Sequence, residues 1–147
     1  MPEKDTLKRA AKDKAEGKSP STQAGEFVRE EIEHIREGKH GARSAKQAIA
    51  IGLAKARRAG VKLAVPKKGE APEETREQAA RDLHKGTSPR AKKSAKRSRA
   101  MLKKLKGEGN SAASTVALSR HARSVAAKRT AASRSRSAKK AARTRKK

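Results

Sequence analysis

Apolar residues recur at helical intervals in only one long stretch of this chain. Between residues 20 and about 37, Ala24, Phe27, Val28, Ile32 and Ile35 fall near one face, and Glu26, Glu30, Glu31, Glu33 and Glu37 occupy most of the rest. That period predicts an amphipathic helix. Ser19-Pro20 supplies its start, with Ser at the N-cap and Pro at the first helical position, and Gly38 supplies its stop. After the turn "GKHGAR", Ser44 and Gln47 match a capping box. A second helix is predicted over about 45–59, with Ala45, Ala48, Ile49, Gly52, Leu53 and Ala56 along one side and Gly60 as its C-terminal stop. Two amphipathic helices joined by a short turn read as an αα-hairpin. Gly52, bare between Ile51 and Leu53, marks a place where the two helices can approach closely.

Outside residues 19–65 the pattern thins. Residues 1–18 form a charged, flexible N-terminus, at most a frayed helix that Gly17 ends. "GVKLAVP", residues 60–66, alternates Val61, Leu63 and Val65 and suits an extended strap over the hairpin. Residues 66–86 read as linker and a short helix over about 72–85, acidic at its start and basic at its end, as the helix dipole favours. Its apolar residues are Ala79, Ala80 and Leu83, so it is marginal unless it docks. A further helix is predicted from Ser88-Pro89 to Lys106, with Met101, Leu102 and Leu105 as its large apolar residues, and "GEGN" breaks it. Beyond Ser111, Ala, Ser, Lys and Arg dominate in a low-complexity theme. The expected fold is mostly α: a small helical hairpin carrying a largely disordered or nascent-helical polycationic tail over 87–147.

Charge sharpens this division. Residues 1–86 hold 20 Lys and Arg against 14 Asp and Glu, a net of +6. Residues 87–147 hold 21 against one, Glu108, a net of +20. Across all 147 residues there are one Phe, no Tyr and no Trp. A chain so charged and so poor in large apolar side chains buries little surface against its conformational entropy. The absence of cysteine excludes disulfides and thiolate sites. No run of about 18 apolar residues exists to span a membrane, and the charged N-terminus lacks a secretory signal's apolar segment. The expectation is a cytoplasmic protein with no membrane partner.

Candidate chemistry is sparse. His34, His40, His84 and His121 show no metal-ligand spacing, so no metal or cofactor is expected. "GKHGARS" lacks the Gly-Lys-Ser/Thr ending of a P-loop, and the carboxylates of the first helix have no cleft, so no catalytic residue is assigned. Lys39, His40 and Arg43 do form a basic loop before a helix start, a natural phosphate contact. With Lys46, Lys55, Arg57 and Arg58 they extend a basic surface along the second helix. The tail adds Arg90, Lys92, Lys93, Lys96, Arg97, Arg99, Lys103, Lys104, Arg120, Arg123, Lys128, Arg129, Arg134, Arg136, Lys139, Lys140, Arg143 and Arg145. Such cations displace counterions from nucleic acid without reading sequence. Lacking the rings on which single strands stack, the tail favours duplex DNA over RNA.

"SPSTQAGEFVREEIEHIREGKHGARSAKQAIAIGLAKARRAGVKL", residues 19–63, resembles the shared block of a family of small basic bacterial proteins of undetermined function, sometimes labelled DNA-binding or plasmid-stabilisation proteins. "SPRAKKSAKRSRA" and "SAKKAARTRKK" are similar in composition to the histone-H1-like proteins of bacteria. These resemblances imply a non-catalytic, nucleoid-associated, histone-like factor that binds or compacts duplex DNA. The alternatives are an RNA- or ribosome-associated basic protein, and a partition adaptor acting through a protein partner. The wide apolar stripe of the first helix adds the expectation of a homodimer through the hairpin.

Overall fold

The computed structural model describes residues 1–87 and 94–145, and among them finds seven α-helices and no strand. They are α1 (Lys4–Ala15), α2 (Pro20–Arg36), α3 (Ala45–Arg58), α4 (Glu73–Thr87), α5 (Ala95–Lys106), α6 (Thr115–Ala127) and α7 (Ala131–Arg145). A short 3-10 turn, Ser111–Ala113, precedes α6. The mostly helical class expected from the sequence is what forms. The predicted start of α5 at residues 88–93 lies outside the described residues.

The α2–α3 hairpin is the centre, and its ends are made as the sequence dictates. Ser44 Oγ accepts from the Gln47 amide at 3.2 Å, while Gln47 Oε1 accepts from the Arg43 amide at 2.9 Å. The capping box therefore closes one residue earlier than the usual reciprocal bond. Gly38 and Gly60 take positive φ at the ends of α2 and α3. Gly52 is where the helices touch. A Cβ there would lie 2.6 Å from Val28 Cα, so the absence of a side chain permits the approach.

The hairpin is not alone, however, and here the expected architecture needs correction. α1 is a full helix packed on α2, burying Ala10 against Ala24 and Phe27. Arg9 Nε donates to Glu26 Oε2 at 2.6 Å across that contact. α4 docks on α3, burying Ala79 and Asp82. The strap is irregular rather than a strand, but Val61 is buried and Leu63 packs on the same cluster as Phe27 and Ala56. A second cluster gathers Ile32, Ile35, Ala42 and Ala48 with Ala112 and Ala113, and Val28 and Leu118 lie against it.

That second cluster shows that the C-terminal half is anchored. The Gly41 amide donates to the Leu105 carbonyl at 2.9 Å, and the Ala42 amide to the Gly109 carbonyl at 3.1 Å. Arg36 Nε donates to the Ala113 carbonyl at 3.0 Å. Gly41 is pressed so closely that a Cβ would fall 1.9 Å from the Glu108 carbonyl oxygen. The described part of the tail is thus helical, and residues 105–118 lie on the open corner of the hairpin. Apolar Ala112, Ala113 and Leu118 explain the docking, because they are the small and branched residues that fit beside Ile32 and Ile35.

Candidate nucleic-acid interface

The cations fall into two populations. Those of the hairpin are mostly engaged. Lys55, on α3, reaches across to α2, with Nζ 2.5 Å from Glu31 Oε2 and 3.4 Å from Glu30 Oε1. Both carboxylates are buried, at 1% exposure for Glu30 and 0% for Glu31. A buried carboxylate needs a paired cation, since removing one partner leaves an uncompensated charge. Lys55 therefore serves the helix interface. Arg57 is buried too, donating through Nε to the Leu63 carbonyl and through Nη2 to the Ala64 carbonyl, which pins the strap. Burial pushes its guanidinium below the ordinary arginine value, and Asp82 opposes that shift. Arg58 lies 3.5 Å from the buried Asp82 of α4.

The expected phosphate loop is likewise partly satisfied. Lys39 pairs with Glu37 at 2.9 Å and with Glu3 at 3.3 Å, and the hydrogen bonds to these two, Glu37 first, raise its pKa. His40 is turned inward, its Nε2 3.3 Å from Glu31 Oε1. Arg43 and Lys46 are exposed, and no ion pair is formed by either. Of the basic surface read along the second helix, these two are exposed and form no ion pair, while Lys39 and Arg58 are exposed but paired with carboxylates.

The C-terminal population is different. Lys96, Arg97, Arg99, Lys103, Lys104, Arg120, Arg123, Lys128, Arg129, Arg134, Arg136, Lys139, Lys140, Arg143 and Arg145 are all exposed. Lys106, absent from the sequence-based set, joins them in the last turn of α5. Leaving Lys140 aside, none of these described cations lies within ion-pair distance of a carboxylate. Arg129 bonds only to hydroxyls and a carbonyl, those of Ser133 and Ser137. Arg90, Lys92 and Lys93 fall outside the described residues.

Helix formation sorts these charges onto faces. On α5, Lys96, Arg99, Lys103 and Lys106 share one side, and Met101, Leu102 and Leu105 share the other. On α7, Arg136, Lys139, Lys140 and Arg143 stand at i, i+3, i+4 and i+7, a single stripe along a helix with no acid. Steps of three and four residues on a helix advance about 4.5–6 Å along its axis, a rise that suits contacts to phosphates along a groove rather than to one point anion.

A cluster that the sequence kept apart also forms here. His34 and His40 are brought edge to face, with ring centroids 6.1 Å apart and planes at 86°, beside Glu31. Neither histidine has a metal-ligand spacing in the chain; the turn after α2 folds His40 back over His34. The only sequence signal available was Glu31 and His34 at i, i+3 on one helix. No family model matches the chain, and no curated protein or solved structure is significantly similar to it.

Proposed function

We propose that this protein is a non-catalytic, sequence-nonspecific duplex DNA-binding factor of the histone-like, nucleoid-associated kind, acting in the cytoplasm. The observation that carries this reading is the array of exposed cations on α5, α6 and α7, which no described carboxylate neutralises apart from whatever Lys140 contacts. An exposed cation without a partner keeps its full capacity to displace a counterion from a phosphate. Engagement of Lys55 and Arg57 inside the hairpin moves the proposed interface toward the C-terminal helices, with Arg43 and Lys46 as an accessory edge. The tail's composition, 21 Lys and Arg against one acid over residues 87–147, points the same way. Among described residues no helix is long and apolar enough to cross a membrane.

Titration of the full chain against duplex DNA of unrelated sequences, at several salt concentrations and with structured RNA as competitor, tests the proposal. Affinity is expected to vary little with sequence and to fall by roughly 10³–10⁵ between about 50 and 200 mM salt for six to ten phosphate contacts. A flat salt response would remove the electrostatic mechanism. Preferential retention on structured RNA would favour the ribosome-associated alternative.

A further inference from the structure

Glu31 is the most constrained ionisable group of the hairpin. Its side chain is inaccessible, yet neither Oε1 nor Oε2 receives a directed hydrogen bond. Lys55 compensates Oε2 by proximity. Oε1 faces His40 Nε2 at 3.3 Å. The other nitrogen of that ring, Nδ1, lies 3.2 Å from the Gly41 carbonyl, a contact that places the ring proton on Nδ1. With Nδ1 held by the backbone, Nε2 of the same ring is the atom aimed at the Glu31 carboxylate. His34 closes the third side, and one ligand atom from each of the three residues lies within 4.8 Å of the others.

We propose that Glu31, His34 and His40 form a binding site for one divalent transition-metal ion of the zinc class. Two imidazoles and one carboxylate suit zinc, cobalt, nickel or copper rather than calcium or magnesium, which take oxygen ligands. Ligand bonds of about 2.0–2.1 Å to a tetrahedral ion set neighbouring ligand atoms roughly 3.3 Å apart. The His40–Glu31 edge already has that length. The two edges to His34 are no longer than 4.8 Å. The surroundings fit the orientation role that outer groups play at metal sites. Gly41 fixes the His40 ring through its carbonyl, and Glu3 Oε1 lies 2.8 Å from His34 Nε2. The carboxylates of Glu3, Glu30, Glu31 and Glu37 outnumber the ammonium groups of Lys39 and Lys55 that face them, so the surroundings are net negative before an ion enters. Both rings are nearly enclosed, at 13% and 10% side-chain exposure, so the ion would clip α2 to the turn that leads into α3.

Calorimetric titration of the full chain with zinc chloride, in non-chelating buffer at about pH 7.5, tests the site. One ion per chain is expected. His34→Ala and His40→Ala should each weaken binding by at least about tenfold, the lower end of what loss even of an outer partner costs. A His84→Ala/His121→Ala double variant should bind as the parent does. The melting temperature should rise with zinc in the parent and the control and not in the two site variants, since an ion that binds only the folded chain stabilises it. Cobalt alone should give the visible absorption of a tetrahedral centre. Absence of saturable binding, or zinc binding that survives both site variants, overturns the assignment. Because both rings keep some solvent access, these variants are chosen over Glu31→Gln, and circular dichroism establishes that each is folded.

Discussion

At the scale of single residues, the two interior glycines of the hairpin helices make opposite predictions. Gly25, exposed on α2, has nothing within 4 Å of its Cβ position. Gly25→Ala should stabilise the fold by up to about 1 kcal/mol through helix propensity and a smaller unfolded-state entropy. Gly52→Ala gains the same propensity but drives a methyl against the Val28 backbone, where overpacking costs about 1–3 kcal/mol. Urea midpoints should therefore move in opposite directions; a rise for both would mean that the helices are not held at this distance. The close approach was legible in the sequence, because a bare position inside a helix between apolar neighbours has few other uses. The roles of Lys55 and Arg57 were not. Glu30 and Glu31 lie beside the apolar stripe, and one partner helix would leave them wet. Packing of both α1 and α3 on α2 encloses them, and only then does Lys55 become an internal counter-ion.

At the scale of elements, α5 and the segment that follows behave as two units. α5 shows Met101 and Leu102 at 57% and 45% exposure and touches the hairpin only at its last turn. Its basic side is the better place to measure counterion release. Replacing Lys96, Arg99, Lys103 and Lys106 with Gln should reduce the slope of log affinity against log salt by up to about 3.6, since each phosphate no longer neutralised removes about 0.9. An unchanged slope would place the interface elsewhere. Residues 105–118 are held by packing instead, and Gly41 is its tightest point. Gly41→Ala should speed hydrogen exchange at the Gly41 and Ala42 amides, as the methyl forces the Leu105 and Gly109 carbonyls away, while α1 and α4 stay protected. The sequence announced the helices α2 to α5, because caps, glycine stops and period are local, whereas residues 1–18 read as a flexible terminus and α1 is fixed by its packing on α2. It did not announce the docking, since Ala112 and Ala113 look like the other alanines of a low-complexity run and acquire meaning only beside Ile32 and Ile35.

At the scale of the whole molecule, the stripe on α2 that suggested a dimer is covered from within. It looked too wide for one partner helix. In the structure Ala10 of α1 covers one part of it, and Ala112 and Ala113 cover another. The hairpin interior is therefore consumed within one chain, and sedimentation of the full chain without DNA should report a monomer. A dimer would direct attention to the exposed apolar side of α5. Ile32 joins the halves, so Ile32→Asp should both lower helical content and release residues 111–118, at a cost of several kcal/mol. Unaltered circular dichroism and unaltered exchange at Ala113 and Leu118 would refute this coupling.

The corner made by Gly41 and Ala42 also sets an order of events during synthesis. α2 and α3 are complete once residue 58 has been made, but the carbonyls of Leu105 and Gly109 and the methyls of Ala112 and Ala113 arrive about fifty residues later. At about 5–20 residues per second that interval lasts roughly 3–10 s. Ile32 and Ile35 wait for it with one side bare. Meanwhile the piece that will cover them emerges inside a strongly cationic segment, beside the polyanionic RNA of the ribosome. In those seconds closure of the core competes with capture by the nearest phosphates, and Gly41 leaves the room for the Glu108 backbone that closure requires.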